Sequence, residues 1–315
     1  MPELPEVETI RRGLSSRILR RKVRDVTILN NKSLQSATSD LVFVKNHRVT
    51  AARRRAKVLI LDLDDNYSLL FHLKMTGQLV FRDDSLTPHD IERGTEDMHN
   101  FGGGHPTESL TSALPDKSTR LIFTFDDDSK LFFNDQRKFG WCKIIPTAQI
   151  TELPFIAKLG PEIVDFTAHE IATRPSVDAI REFIQRARHH QNAPIKAVIL
   201  DQAVVAGIVN IYADEALWGA KIHPMTRLHK LSDADLSQIL VAARDAMTKS
   251  ISAGGSTMKN YVRSDGSRGD YLDLFANVFR RDGQPCLRCG ATIIKTRAAG
   301  RGTYICPVCQ VKDTA

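Results

Sequence analysis

The sequence predicts an α+β fold: a helix opens an N-terminal β-sandwich or barrel, a helical domain follows, and a small cysteine-bounded β module closes the chain. Three observations carry this. Residues 23 to about 145 break into short runs rich in β-branched and aromatic side chains. From residue 177 to 252 apolar residues recur at helical spacing instead. Four of the five cysteines fall in two Cys-x-x-Cys pairs near the C-terminus. A chain of 315 residues has room for two domains and an appendage. The predicted divisions are 1–145, 146–275 and 276–315.

In order, Val7, Ile10, Leu14 and Ile18 predict a helix over 5–18, with Glu6 and Glu8 in its first turn and Arg11, Arg12 and Arg17 after them. Strand-like runs follow at Val23–Leu29, Val49–Leu63, Ser68–Phe81, Arg120–Phe125 and Lys130–Phe133, with Asp126–Ser129 as a hairpin loop. Residues 83–117 are polar, contain Gly102-Gly103-Gly104, and are predicted to be a long surface loop. Pro146–Pro154 reads as a linker. Helices are predicted over Val177–Ala187, Pro194–Gln202, Ile208–Trp218 and Asp233–Ser252. In the last, Leu236, Ile239, Leu240, Ala243, Met247 and Ile251 form one apolar stripe that Gly254-Gly255 ends. Residues 256–274 read as a second loop.

Composition excludes several classes. With 42% hydrophobic and 26% charged residues the chain is neither disordered nor fibrous. Its longest apolar runs fall far short of the roughly 20 residues of a membrane span, and the N-terminus has no signal-peptide core. An intracellular protein is therefore expected. Net charge is +7, unevenly spread. Residues 1–60 hold 14 Lys/Arg against 5 Asp/Glu, and 257–301 hold 9 against 4, while 83–120 hold 8 acids and 3 bases. Basic clusters at both ends suit a binder of a polyanion, which gains from counterion release. On charge alone, solvated Lys and Arg on ordinary faces explain the pattern equally well.

Cys286-Leu-Arg-Cys289 and Cys306-Pro-Val-Cys309 stand 16 residues apart, the spacing of a zinc ribbon. Four thiolates close a tetrahedral shell, so one structural Zn2+ is expected. Two disulfides are the alternative, disfavoured without secretion. Cys142 is left as a buried free thiol beside Trp141. At the other end the chain begins Met1-Pro2-Glu3. Methionine before proline is readily removed, and the exposed secondary amine of Pro2 would titrate far below a lysine. Such an amine can attack a sugar carbon and yield an iminium, with Glu3 beside it as proton donor. Taken alone, Pro and acids at a helix start are ordinary.

The ordered series is more specific. It comprises Pro2-Glu3-Leu4-Pro5-Glu6-Val7-Glu8, Arg54-Arg55-Ala56-Lys57, His72-Leu73-Lys74-Met75-Thr76-Gly77, Asn134-Asp135-Gln136-Arg137-Lys138-Phe139-Gly140 and Leu159-Gly160-Pro161-Glu162. It continues through Leu200-Asp201-Gln202, Asn210–Glu215, Gly254-Gly255-Ser256-Thr257, the cysteines and Arg301-Gly302-Thr303. Over nearly its whole length the chain resembles the formamidopyrimidine-DNA glycosylase family (Fpg/MutM), bifunctional 8-oxoguanine glycosylase/AP lyases of base-excision repair.

The resemblance implies a β-sandwich, a helix–two-turns–helix motif across Asp201–Glu215 and a zinc finger. It implies Pro2 as the nucleophile, Glu3 as the acid that helps open the sugar, and Lys57, on a strand, as a proton donor in β-elimination and a phosphate ligand. Arg301 on the zinc hairpin would grip phosphates and serve δ-elimination. Met75, Arg137 and Phe139 match the trio that fills the void left by the everted base. Asn210 would donate to a phosphate, Lys259 would stand beside the lesion-capping loop, and His72 would lie near the DNA face. Considered singly, each has a plainer reading: a solvated cation, a core side chain, a helix-capping Asn, a buried His. Three positions depart from the family pattern: Val209 for Gly, Ser118 for His and Gln191 for Lys. The acidic stretch 83–117 is longer than usual and is expected to point away from DNA. The expected partner is double-stranded DNA holding oxidised purines or abasic sites, with no membrane and a monomeric chain. Rival readings are an endonuclease VIII-like glycosylase for oxidised pyrimidines, and a damage-binding protein without catalysis.

Overall fold

The computed structural model describes residues 2–83, 100–105, 110, 112–164, 175–253 and 275–311. They fall into two compact units, one running up to Ile156 and the other from Ala157 through the C-terminal module.

In the first unit, helix α1 (Leu4–Ile18) leads into nine strands: β1 (Val23–Ile28), β2 (Val49–Arg55), β3 (Val58–Leu63), β4 (Tyr67–His72), β5 (Gly77–Arg82), β6 (Asn100–Gly104), β7 (Thr119–Phe125), β8 (Lys130–Asp135) and β9 (Trp141–Pro146). They form two antiparallel sheets, ordered β1-β7-β8-β5-β6 and β2-β3-β4-β9. Leu59, Leu61, Leu69 and Phe71 from one sheet meet Leu79, Phe81, Phe123 and Phe133 from the other. Val7, Ile10, Leu14 and Ile18 of α1 join the same core, so the apolar stripe of the helix seats Pro2 and Glu3 at the sandwich. Full burial of each such side chain is worth about 1.5–3 kcal/mol. The second face of the four-stranded sheet is also dry. Val58, Ile60, Leu70 and Trp141 pack there with Ile150, Leu153 and Ile156. That explains why β3 opens with four consecutive apolar residues, Val58 to Leu61, rather than an alternation.

Four expectations need correction. The run 49–63 is two strands, because the chain reverses at Ala56-Lys57, with Arg55 paired to Val58. Ala56 takes φ +49° there, and without Gly, Asn or Pro the turn left no trace in the sequence. The run 68–81 likewise divides at 73–76. The polar stretch 83–117 contains β6, an edge strand paired with β5. Its glycines serve contact, not looseness: a Cβ on Gly104, at φ +129°, would lie 2.3 Å from the Gly77 carbonyl oxygen. Residues 84–99, 106–109 and 111 lie outside the described residues, and with them the expectation that the acidic stretch points away from DNA. Pro146–Pro154 is not a free tether. It holds the end of β9 and a 3-10 turn over Thr147–Glu152 whose Ile150 covers the sheet.

The second unit holds α2 (Val177–Ala187), α3 (Ile195–Leu200), α4 (Asn210–Gly219), α5 (Asp233–Ser252) and the hairpin β10 (Ile294–Ala298)–β11 (Arg301–Ile305). Ser176 and Ser232 accept the backbone N–H of Ala179 and Asp235 at 3.1 Å, fixing the starts of α2 and α5. The predicted stripe of α5 is buried throughout. Between α3 and α4 the Gln202 amide spans the turns, donating to the Ile208 carbonyl at 2.8 Å and accepting the Gly207 N–H at 2.9 Å. Gly207 sits at φ +94°, in the region that favours glycine.

Candidate active site and metal centre

Pro2 is buried immediately ahead of α1, and Glu3 is the N-cap of that helix. The Glu3 N–H donates to the Glu6 carboxylate at 2.9 Å. One carboxylate oxygen of Glu3, Oε2, is buried with no hydrogen-bond partner. Burial and the neighbouring Glu6 push the Glu3 pKa up to about 8, against the opposing pull of Lys57. At neutral pH this carboxyl therefore holds its proton, the state needed by an acid. Lys57 stands in the β2–β3 turn, not on a strand as expected. The turn is held from beneath. Arg54 donates to the Ala56 carbonyl at 2.9 Å and reaches the fully buried Glu8 of α1 at 3.4 Å. His72 ends β4 beside Trp141 and accepts the Lys74 N–H on Nδ1 at 3.1 Å. Burial first, then Lys74 and Lys57, lower its pKa to about 4. It is a neutral, half-buried imidazole whose proton sits on Nε2.

Met75, Arg137 and Phe139 come together on two exposed turns. Arg137 Nη1 lies 3.1 Å from Met75 Sδ, and its guanidinium lies 4.9 Å from the Phe139 ring centroid. Met75 is 42% and Phe139 54% exposed, so neither is a core side chain. Ser118, one of the three positions expected to depart from the family pattern, is buried and bound through N and Oγ to Asp116.

In the second unit Asn210 is the first residue of α4, and its Nδ2 donates to the Gly302 carbonyl at 2.9 Å. Val209 precedes it in extended conformation, φ −125°, which any residue adopts, so the absence of Gly costs nothing. Gln191 donates to the Arg188 carbonyl at 3.0 Å on the surface. Arg301 is exposed at the start of β11, next to the Ala299-Gly300 turn. Sequence reasoning missed what fixes this hairpin. Lys196, fully buried in α3, pairs with Asp214 at 2.6 Å and donates to Thr303 Oγ1 at 2.7 Å and to the Gly302 carbonyl at 3.3 Å. Asp214 in turn accepts the Tyr304 N–H at 3.1 Å. The next carboxylate, Glu215, accepts the backbone N–H groups of Asn277, Val278 and Phe279. A lone lysine inside the apolar run Ile195–Leu200 was the available signal. Lys259 and the loop 256–274 lie outside the described residues.

The four cysteine sulfurs converge within 4.8 Å of one another. Cys286 and Cys309 Sγ are 4.0 Å apart, and Cys289 and Cys306 Sγ 3.4 Å. A tetrahedron with Zn–S near 2.3 Å has edges of about 3.8 Å, between those values. Backbone N–H groups of Arg288 and Cys309 and the Trp218 indole point at the sulfurs, each at 3.4 Å, as thiolates require. The donor set fits one zinc with no open position, a structural ion. Cys142 is buried apart from it and its thiol pKa is pushed up by burial, so it stays protonated and inert.

Three known domains match in the same order. The formamidopyrimidine-DNA glycosylase N-terminal domain matches residues 1–142, the formamidopyrimidine-DNA glycosylase H2TH domain 171–262, and the zinc finger found in FPG and IleRS 283–311. The formamidopyrimidine-DNA glycosylase of Enterococcus faecalis is 33% identical over 314 residues, covering 98% of this chain and 97% of its own. The chain belongs to the formamidopyrimidine-DNA glycosylase family. The family enzyme from Roseiflexus sp. is 35% identical over 98% of this chain and 100% of its own. Lactococcus lactis Fpg in complex with abasic-site DNA superimposes with a TM-score of 0.74 at 30% identity, covering 99% and 100% of the two chains. A MutM complex with DNA containing carbocyclic 8-oxo-G gives 0.73 at 30% identity. Like these relatives, this family member is a zinc-finger DNA glycosylase of base-excision repair. No described helix is long and apolar enough to cross a membrane.

Proposed function

We propose that this chain excises 8-oxoguanine and formamidopyrimidines from double-stranded DNA and nicks the strand at the abasic site it makes. The observation that carries the reading is the buried, proton-holding carboxyl of Glu3 directly after Pro2, within electrostatic reach of Lys57. Freed of Met1, the Pro2 nitrogen attacks C1′ of the everted nucleotide and gives up its proton. The glycosidic bond breaks, and the base leaves with the electron pair and takes up a proton. The C1′–O4′ bond then opens, Glu3 protonates O4′, and the nitrogen lone pair closes the iminium. Loss of a C2′ proton expels the 3′ phosphate, and a second elimination expels the 5′ phosphate. Lys57 is assigned to the first elimination and Arg301 to the second, both also holding phosphate.

Met75, Arg137 and Phe139 fill the void, with Arg137 facing the orphaned base. Asn210, Lys259 and His72 are assigned to the DNA face. The work divides among a catalytic sandwich (1–145), a backbone-gripping helical domain (146–275) and a zinc module (276–315). The enzyme acts as an intracellular monomer on DNA. The test is to add borohydride to the protein and a duplex carrying 8-oxoguanine opposite cytosine. A covalent adduct that Pro2→Gly abolishes supports the reading, and no adduct with either this lesion or an abasic site rejects it. A substrate panel with oxidised pyrimidines places the enzyme within its superfamily. Lactococcus lactis Fpg has itself been captured on DNA containing an oxidised pyrimidine.

A further inference from the structure

The turns bearing Met75 and Arg137–Phe139 have an unusual place in the sandwich. Residues 73–76 join β4 to β5, and residues 136–140 join β8 to β9, so both cross from one sheet to the other. They do so side by side, since Gly77 pairs with Asp135 and His72 with Trp141. Asp135, fully buried at the end of β8, belongs to both crossings. Its Oδ1 accepts the Thr76 hydroxyl from the first turn and the Arg137 N–H from the second at 3.2 Å. Its Oδ2 accepts the Gly140 N–H at 2.6 Å. Thr76 Oγ1 also accepts the Arg137 N–H, at 3.0 Å. The carboxylate cannot drift, because its own backbone is held by the Ser118 carbonyl and the Arg120 side chain, both at 2.8 Å. Gly77 and Gly140 let the turns close in: a Cβ on Gly77 would lie 2.4 Å from the Leu73 carbonyl oxygen, and one on Gly140 3.1 Å from Asp135 Oδ2.

We propose that Asp135 is a positioning residue that, through Thr76, ties the two crossings together, so that Met75, Arg137 and Phe139 enter the duplex as one preformed wedge. The proposal rests on the glycosylase reading above, in which a base must leave the stack. Eversion costs stacking and pairing energy. A wedge ordered in advance does not add the cost of ordering three separate side chains at that moment. An already abasic nucleotide makes a smaller demand on it.

The experiment uses Thr76→Val, which keeps the side-chain shape but removes the bridging hydroxyl, Thr76→Ser, which restores it, and Asp135→Asn. Amide hydrogen exchange is read on the free full-length protein by NMR, and single-turnover rates are read on a duplex with 8-oxoguanine and on one with a preformed abasic site. In Thr76→Val the Arg137 amide is expected to exchange at least tenfold faster while the Phe133 amide in β8 keeps its rate. Excision should fall tenfold or more, against less than threefold for nicking at the abasic site, and Thr76→Ser should stay within twofold of wild type. Asp135→Asn should give the same pattern with the Gly140 amide included. Unchanged exchange at Arg137 and Gly140 would overturn the tie, as would a parallel loss on both substrates. If wild-type protein fails to excise the lesion, the glycosylase reading falls, and the exchange measurement alone still decides whether Asp135 joins the turns.

Discussion

Replacing Glu3 by Gln should stabilise the free protein while disabling it. The carboxyl titrates near 8 in the folded chain against an ordinary 4.5, because burial and Glu6 disfavour its charge more than Lys57 favours it. Between those values the folded state binds a proton that the unfolded state does not. Stability contributed by Glu3 therefore falls as pH rises from about 4.5 to about 8, at roughly 1.4 kcal/mol per unit. At pH 7 the accumulated penalty is on the order of 3 kcal/mol. The buried Gln amide must itself find partners and returns part of this, leaving about 1–2 kcal/mol of net gain. For a unit of this size that is a rise in Tm of about 2–8 °C at pH 7. Thermal unfolding of both proteins from pH 4.5 to 8.5 measures it. Near pH 4.5 only the amide's cost remains, so the variant should be the less stable protein there by about 1–2 kcal/mol, overtake wild type as pH rises, and level off above 8. Excision of 8-oxoguanine should fall by about 10²-fold or more, as for loss of a general acid. A Tm difference independent of pH, or a variant less stable at pH 8 than at pH 5 relative to wild type, would refute the assignment of a protonated Glu3.

Three further outcomes are expected. Cys289→Ala should lose zinc by metal analysis and weaken DNA binding at least tenfold in an anisotropy titration, because the hairpin carrying Arg301 then loses its base. Zinc-free protein with unaltered affinity would contradict this. Arg137→Ala should slow excision of a paired lesion at least tenfold more than nicking at an abasic site, read from single-turnover rates on the two duplexes. Arg301→Ala should weaken binding and lower the slope of log affinity against log salt by about one, as expected for one lost phosphate contact.

Much of this molecule is written in local pattern. The stripe of α5 and the Gly254-Gly255 pair after it gave helix bounds that needed little tertiary help, because 3.6-residue periodicity and a glycine stop are properties of neighbours in the chain. The cysteine spacing foretold a knuckle pair for the same reason. Errors gathered where the backbone does something that only a distant partner explains. The Ala56-Lys57 turn carries no turn residue and is held by Arg54 and Glu8. The glycines of β6 looked like a loop because their need for close contact with β5 is invisible along the chain.

The sequence by itself determined the chemistry at both ends: a proline amine with an acid beside it, and four thiolates at zinc spacing. What tertiary structure alone decided is the state and aim of those groups. Burial next to Glu6 turns Glu3 from a carboxylate into an acid. Met75, about sixty residues from Arg137 and Phe139 in the chain, meets them in one cluster because the turns that carry them cross between the sheets side by side. The Arg301 hairpin is anchored by a lysine and an aspartate whose charges survive burial only as a pair. Desolvation and packing depend on what the rest of the chain brings near, and no window along the sequence contains that information.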